Sequence, residues 1–383
     1  MKVKSVIGLA FGDEGKGLVT DWLCSEDPKN TLCVRFSGGH QAGHTVVKGG
    51  TKHVFSSFGS GTLRGVPTYF TKNTCLYPTF IKNEKETLKS KGITPDLSVH
   101  PLVYITTPYD IAYNRLMERV KNHGSVGLGI GTTMHRNLTT GYKLYAIDLL
   151  NEEIFLVKLR GIELYYQELV HPGMKSEYED LVSNFEPWFL RSLRNLFTIR
   201  NYDYLKQFEN LVFEGSQGIL LDKDFGFFPN VTYASLTNNA VKAVLNEAEI
   251  RSILETFYIT RCYSTRHGNG WMPEGGSIDL INNEEETNVF NLYQKDFKVQ
   301  EFDVKLIKQA MEYDNAAYPG TIKNLVVTCL DQRPDFKFPF KEFDMPIWTS
   351  NSPESRNIKK LNYDWTCQNQ SRRCSQTPGL EIS

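Results

Sequence analysis

Two acids and a lysine share one glycine loop, Gly12-Asp13-Glu14-Gly15-Lys16-Gly17. The glycines let backbone N–H groups approach a ligand, and Lys16 adds a point charge beside them. That combination suits a phosphate. The loop departs from the Walker A pattern of Gly, four residues, then Gly-Lys-Ser/Thr. Ala10 stands where the first Gly belongs, and Gly17 stands where a hydroxyl would hold Mg²⁺. Asp13 and Glu14 would repel a triphosphate unless a metal intervenes or a carboxylate does chemistry. By itself the loop also reads as a glycine-rich turn with solvated charges. A second cluster follows in Ser37-Gly38-Gly39-His40-Gln41-Ala42-Gly43-His44-Thr45. The glycines between its two histidines argue against one helical face. No Cys cluster accompanies them, so a zinc pair is not expected.

The elements that must position these residues follow from apolar patterning. Residues 6–10 form a short apolar run, expected as a strand buried on both faces. A helix is expected over 15–24 and a strand over 31–36. Residues 53–61 read as strand and turn, and 103–107 as a strand ending at Pro108. Residues 124–133 form a further glycine-rich loop. Residues 141–210 read as helical, with Ile154, Leu156, Val157, Leu159, Ile162, Leu164 and Tyr165 expected in the core. A buried strand begins at Leu211. The expected class is α/β: a mostly parallel central sheet flanked by helices, with a P-loop-like N-terminal strand–helix unit.

The 383 residues suffice for a substantial core. A net charge of −1 gives no global nucleic-acid or membrane footprint. No apolar run approaches the roughly 20 residues needed to span a bilayer. Met1 to Lys4 leads straight into the first strand, so no signal peptide is expected. Seven scattered Cys without CxxC spacing do not form a disulfide framework. The expectation is a soluble, reduced, cytoplasmic protein without nucleic-acid or membrane partners.

Three blocks carry a specific resemblance: Gly12 to Gly17, Gly38 to Thr45, and Phe213-Glu214-Gly215-Ser216-Gln217-Gly218-Ile219-Leu220-Leu221-Asp222 running on to Phe228-Pro229-Asn230-Val231-Thr232-Tyr233. They are similar to GDEGKGK, GGHNAGHT and FEGAQGTLLD…YPYVTSS of the adenylosuccinate synthetase family, whose members join L-aspartate to IMP at the expense of GTP. The likeness spans most of residues 1–353 and is thin over 140–210. It implies the family's fold and a homodimer. The substrates it implies are a purine mononucleotide, a nucleoside triphosphate and L-aspartate. It also implies Mg²⁺, with GTP or ATP as phosphate donor. Asp13, His44 and Lys16 would be catalytic, and Asp13 with the Gly43 carbonyl would hold the metal. Donor-nucleotide contacts would come from Gly12, Glu14, Gly15, Gly17, Gly43, Thr45, Asp331 and Ser352. The purine monophosphate would meet Asp13, Lys16, Gln41, Ala42, Thr133, Gln217 and Thr232. Arg266 and Lys298 are the candidates for aspartate.

The chain also departs from the family. Leu18 replaces the second Lys of GDEGKGK, and Gln41 replaces the Asn of GGHNAGHT. The family's arginine-rich aspartate loop has its best counterpart in residues 296–303, which hold no Arg. A Lys cannot make the bidentate fork an Arg makes to a carboxylate. Val326-Val327-Thr328-Cys329-Leu330-Asp331 resembles the TKLD segment that reads guanine, but Cys329 replaces its Lys, which opens the donor site to ATP. An arginine that relatives lend across the dimer has only Arg136 as a stand-in. Residues 1–360 are expected as one catalytic domain with a helical insertion at 141–210. Glu284 to Glu286 reads as a solvated charge run, and 361–383 as a polar, loosely ordered tail. Two readings compete with an IMP ligase. A phage-type enzyme of the same superfamily would take dGMP with ATP or dATP, and a non-catalytic purine sensor would keep the pocket alone. A P-loop GTPase is disfavoured by Gly17.

Overall fold

Strand Lys2–Gly8 sends Val6 and Ile7 to opposite faces of a sheet, and both are buried. The structure, a computed structural model, describes residues 1–121, 124–276, 278–281 and 297–362. Lys2–Gly8 lies near the middle of a ten-stranded sheet. In order the strands are Lys359–Lys360, Ile347–Thr349, Ile322–Thr328, Leu254–Arg261, Lys2–Gly8, Asn210–Gly218, Thr31–Arg35, Thr68–Phe70, Leu97–Val99 and Thr198–Ile199. Neighbours pair in parallel except at the Lys359–Lys360 edge, which is antiparallel. Both faces of the central strands are covered, so Leu211-Val212-Phe213 and Leu325-Val326-Val327 read as continuous apolar runs.

One face packs Ile7, Leu211, Tyr258 and Leu325 against helices Asn238–Glu247 and Val304–Ala317, through Val241, Val244, Ile307 and Ala310. The other packs Val6, Val212, Ile259 and Val326 against helix Lys16–Cys24, through Leu18, Val19 and Leu23. A further core lies around Phe70 and Val99, under helices Pro78–Ser90, Pro108–Lys121, Glu152–Leu169 and Lys175–Arg191. Each such apolar side chain contributes about 1.5–3 kcal/mol on burial.

Several expectations need correction. In helix Glu152–Leu169 the buried row is Phe155, Leu159, Ile162 and Tyr166. Ile154, Leu156, Val157 and Leu164 lie outward, with 47, 49, 74 and 43% of their surface exposed. The helix is apolar around much of its circumference, so composition alone could not choose the inward face. Within the insertion, Thr198–Ile199 is an edge strand of the sheet. The first strand ends at Gly8, and the 103–107 strand shrinks to Tyr104–Ile105. The glycine loop at 124–133 becomes helical from Ile130. Phe297–Gln300 is a strand paired antiparallel with Ser264–His267, not a loop. Among the described residues no helix is long and apolar enough to cross a membrane. The five described cysteines are free. The charge run at Glu284 to Glu286 and the tail from 363 lie outside the described residues.

Candidate active site

The glycine loop leaves the sheet at the carboxyl end of its central strand, where parallel α/β sheets place their ligands. Helix Lys16–Cys24 starts from Gly15, which holds a left-handed backbone at φ 96°. Glu14 turns inward beneath the loop and is 1% exposed. Its carboxylate accepts from the N–H groups of Ala10 and Gly12 at 3.0 Å each, and it pairs with Lys16. Burial works against its charge, but Lys16 and the amide donors prevail and hold its pKa low. Glu14 therefore braces the loop from below instead of facing a nucleotide.

Asp13 faces the other way. It adopts φ 63°, a left-handed conformation that costs a non-glycine residue free energy and clusters at functional sites. The Arg261 guanidinium holds that turn by donating from Nε to the Asp13 carbonyl at 2.5 Å. His267 Nε2 lies 3.6 Å from Asp13 Oδ2, and 24% of the Asp13 side chain remains accessible. Burial raises the Asp13 pKa, opposed by the charges of Arg261, His267 and Lys16.

His44 opens strand His44–Lys48, which forms a two-stranded ribbon with Thr51–Phe55. Its Nδ1 lies 2.7 Å from Glu214 Oε1, and its Nε2 lies 3.4 Å from the Ser216 carbonyl. Burial lowers its pKa, against the opposing pull of Glu214. His40 points elsewhere: its Nε2 lies 3.0 Å from the Leu128 carbonyl oxygen, joining the two glycine loops.

These loops wall a cleft of about 1240 Å³. That exceeds the usual pocket for one drug-sized ligand, about 300–1,000 Å³, and leaves room for more than one small molecule. Gly12, Asp13, Gly15, Lys16, Gly17, Gln41, Ala42, Gly43, His44 and Thr45 all line it. Gln217, Thr232, Arg266, Asp331 and Ser352 join them from distant sequence. The Oε1 atoms of Gln41 and Gln217 are buried without a hydrogen-bond partner. Asp331 Oδ2 accepts from Gln332 Nε2 at 2.8 Å. Cys329, at φ 59°, also lines the wall.

Thr133, Arg136 and Lys298 do not reach the cleft. The buried Thr133 hydroxyl donates to Thr106 Oγ1 at 2.9 Å, and its neighbour Thr132 lines the cleft instead. Arg136 is fully buried and forks onto Asp110, with Nε to Oδ1 at 2.9 Å and Nη2 to Oδ2 at 2.8 Å. It cannot be lent to another subunit without breaking a buried ion pair. Lys298 Nζ donates to the Gly270 carbonyl at 3.3 Å. Arg266 does reach the wall, stacked over Phe11 at 4.3 Å. It donates to the carbonyls of Trp271 at 2.6 Å and Asn230 at 3.1 Å. Among the described residues no carboxylate pairs with it, and burial lowers its pKa to about 10.

Sequence reasoning passed over Arg261, His267, Glu214 and Ser216. Arg261 carried a usable signal, because it ends an apolar run that becomes a parallel strand beside the first. Magnesium commonly binds proteins through one or two carboxylates, taking its other ligands from phosphates and water. Asp13, with the Gly43 backbone in the wall of the same cleft, suits that donor set. Among the described residues no group of three or more His, Cys, Asp or Glu forms a dedicated cage.

The comparisons with known proteins agree with this geometry. A family model described as adenylosuccinate synthetase matches residues 5–331. An adenylosuccinate synthetase of Borrelia duttonii is 28% identical over 342 residues, covering 86% of this chain and 77% of its own. One from Neisseria gonorrhoeae is 31% identical over 281 residues, covering 70% of this chain and 64% of its own. In fold, the chain resembles the fully ligated adenylosuccinate synthetase of Plasmodium falciparum (TM-score 0.68, 18% identity), covering 94% of this chain and 100% of that one. It also resembles the succinoaminodeoxyadenylate synthetase of cyanophage S-2L, solved with dGMP and with dATP as energy donor (TM-score 0.63, 15% identity), covering 97% of this chain and 99% of that one. With its central sheet, its glycine loop and its cleft all accounted for, the chain belongs to the adenylosuccinate synthetase family, a family of ligases that form C–N bonds.

Proposed function

We propose that the protein condenses L-aspartate with IMP through a 6-phosphoryl intermediate, driven by hydrolysis of a nucleoside triphosphate. The observation that carries this reading is Asp13: an accessible carboxylate held on a left-handed residue inside a phosphate loop, beside Lys16. The O6 of a 6-oxopurine is a poor leaving group, so an amine cannot displace it directly. Asp13 takes the N1 proton, which makes O6 nucleophilic towards the γ-phosphate. The loop N–H groups and Lys16 stabilise the charge that develops. With the phosphates bound, the His44 ring carries a second proton, on Nε2, and donates it to the oxygen leaving between the β- and γ-phosphates. The amine of aspartate then displaces phosphate from C6. Asp13 and the Gly43 carbonyl would hold Mg²⁺, whose charge offsets that of the phosphates.

Gln41, Ala42, Gln217 and Thr232 serve the purine nucleotide in this reading, and Gly15, Gly17, Thr45, Asp331 and Ser352 serve the donor. Arg266, with no carboxylate partner among the described residues, is the favoured contact for aspartate. GTP is the proposed donor. A homodimer, a cytoplasmic location and a single catalytic domain over 1–360 complete the proposal.

The second reading keeps the chemistry but takes dGMP with ATP or dATP. It is favoured by the Gln332 amide against Asp331, which adds a hydrogen-bond donor where guanine would need acceptors. A grid of IMP, GMP and dGMP against GTP, ATP and dATP, with aspartate present, tests both. Succinyl product from IMP supports the first reading, and product from dGMP alone supports the second. No succinyl product from any pair leaves the pocket as a sensor and removes both.

A further inference from the structure

We propose that Glu214 is the positioning residue for His44, and so acts on phosphoryl transfer without touching a substrate. The inference rests on the catalytic reading of His44 given above.

Glu214 sits on strand Asn210–Gly218, beside the first strand in the centre of the main sheet. His44 sits on a separate two-stranded ribbon. Their contact at 2.7 Å joins residues 170 positions apart, pinning the ribbon's first residue to the centre of the main sheet. A carboxylate can only accept, so His44 Nδ1 must carry the hydrogen. Nε2 is thereby the nitrogen left to the cleft.

The carboxylate itself cannot swing. Its Oε1 also accepts from the Ser60 hydroxyl, and its Oε2 accepts from the Ser60 N–H at 3.2 Å and the Cys33 thiol at 3.5 Å. Arg35 Nε lies 4.0 Å from Oε2. Burial opposes the charge on Glu214, but His44, Arg35 and Ser60 outweigh it and hold the carboxyl at about 2. The side chain is 0% exposed, so it cannot meet a ligand. A buried ion pair is weak evidence for stability, because well-packed apolar groups of similar volume often serve as well. Orienting an imidazole is a task apolar groups cannot perform.

The test is a double-mutant cycle on the full chain, read as steady-state phosphate release. Glu214→Gln is expected to lower kcat roughly 10- to 100-fold, the usual effect of losing a group that orients a ligating or reacting histidine. KM for both nucleotides should stay within about twofold, since ground-state binding is untouched. In a His44→Asn background the same change should cost no more than about twofold, because the residue it acts through is gone. Equal loss in both backgrounds, or no loss in the wild type, would overturn the proposal. Full activity in His44→Asn alone would instead remove the reading of His44. Ser60→Ala covers the case in which Glu214→Gln folds poorly. It removes one hydroxyl donor from the same carboxylate, and its kcat loss should likewise vanish in the His44→Asn background. Nitrogen-15 spectra of His44 give an independent signature: hydrogen on Nδ1 in the wild type and mixed tautomers in Glu214→Gln. Mixed tautomers already in the wild type would count against the proposal.

Discussion

Gly17 lies so close to the ribbon that a Cβ there would sit 2.9 Å from the Thr45 carbonyl oxygen and 3.0 Å from His44 Cβ. The missing Walker hydroxyl is thus a packing requirement: the helix start and His44 share one space. Gly17→Ser should not restore a metal ligand. It should destabilise the fold by about 1–3 kcal/mol, as overpacking does, and displace His44. Urea denaturation with phosphate-release assays should show both losses together. An equally stable and active variant would contradict the packing account.

Arg261 holds the backbone of Asp13 through its carbonyl, at 2.5 Å. Arg261→Met should therefore act on the base without removing it. A fall in kcat of roughly 10- to 100-fold is expected, the cost of a misplaced reacting group. A change confined to KM would argue that Arg261 binds substrate instead.

The joint between the glycine loops gives a pH dependence. Burial lowers the His40 pKa from 6.5 to about 4, so the folded protein prefers the neutral ring. The unfolded chain binds the extra proton more readily. This stabilisation is complete above pH 6.5 and is lost as pH falls through about 4. At roughly 1.4 kcal/mol per pK unit it amounts to about 3 kcal/mol. Tm should fall between pH 6.5 and 4, and His40→Gln should flatten that part of the curve. An unchanged slope in the variant would place the acid sensitivity elsewhere.

The outward row of helix Glu152–Leu169 bears on assembly. Ile154, Val157 and Leu164 are exposed by 47, 74 and 43%, at helical spacing. The proposed homodimer would cover this row. Val157→Asp should shift sedimentation from dimer towards monomer while leaving the monomer folded. A dimer of unchanged strength would move the interface to another face.

The parts legible in the sequence were those where one residue type can do one job. Lys16 in a glycine loop and His44 after a strand both line the cleft, as a cation and an imidazole beside bare backbone suggest from sequence. The inward turn of Glu14 is not legible in the sequence, since nothing local says whether a loop carboxylate faces a ligand or its own backbone. Two amide donors and Lys16 turn it inward. Thr132 and Thr133 are adjacent and chemically identical, so only the helix phase set by Gly129 decides which one lines the wall. Arg136 reads as unpartnered in the sequence because Asp110, which it forks onto, lies 26 positions away. The outward row at 154–164 failed for the reason helix patterns often do: an apolar residue facing solvent and one facing the core look alike in the sequence.

The most direct test of the account is phosphate release from IMP, GTP, Mg²⁺ and L-aspartate, comparing the wild type with Asp13→Ala. Turnover should fall by at least about 10²-fold in the variant, as expected for loss of a general base, while thermal shifts still report nucleotide binding. Turnover within about tenfold of the wild type, a barrier change of only about 1.4 kcal/mol, would contradict it.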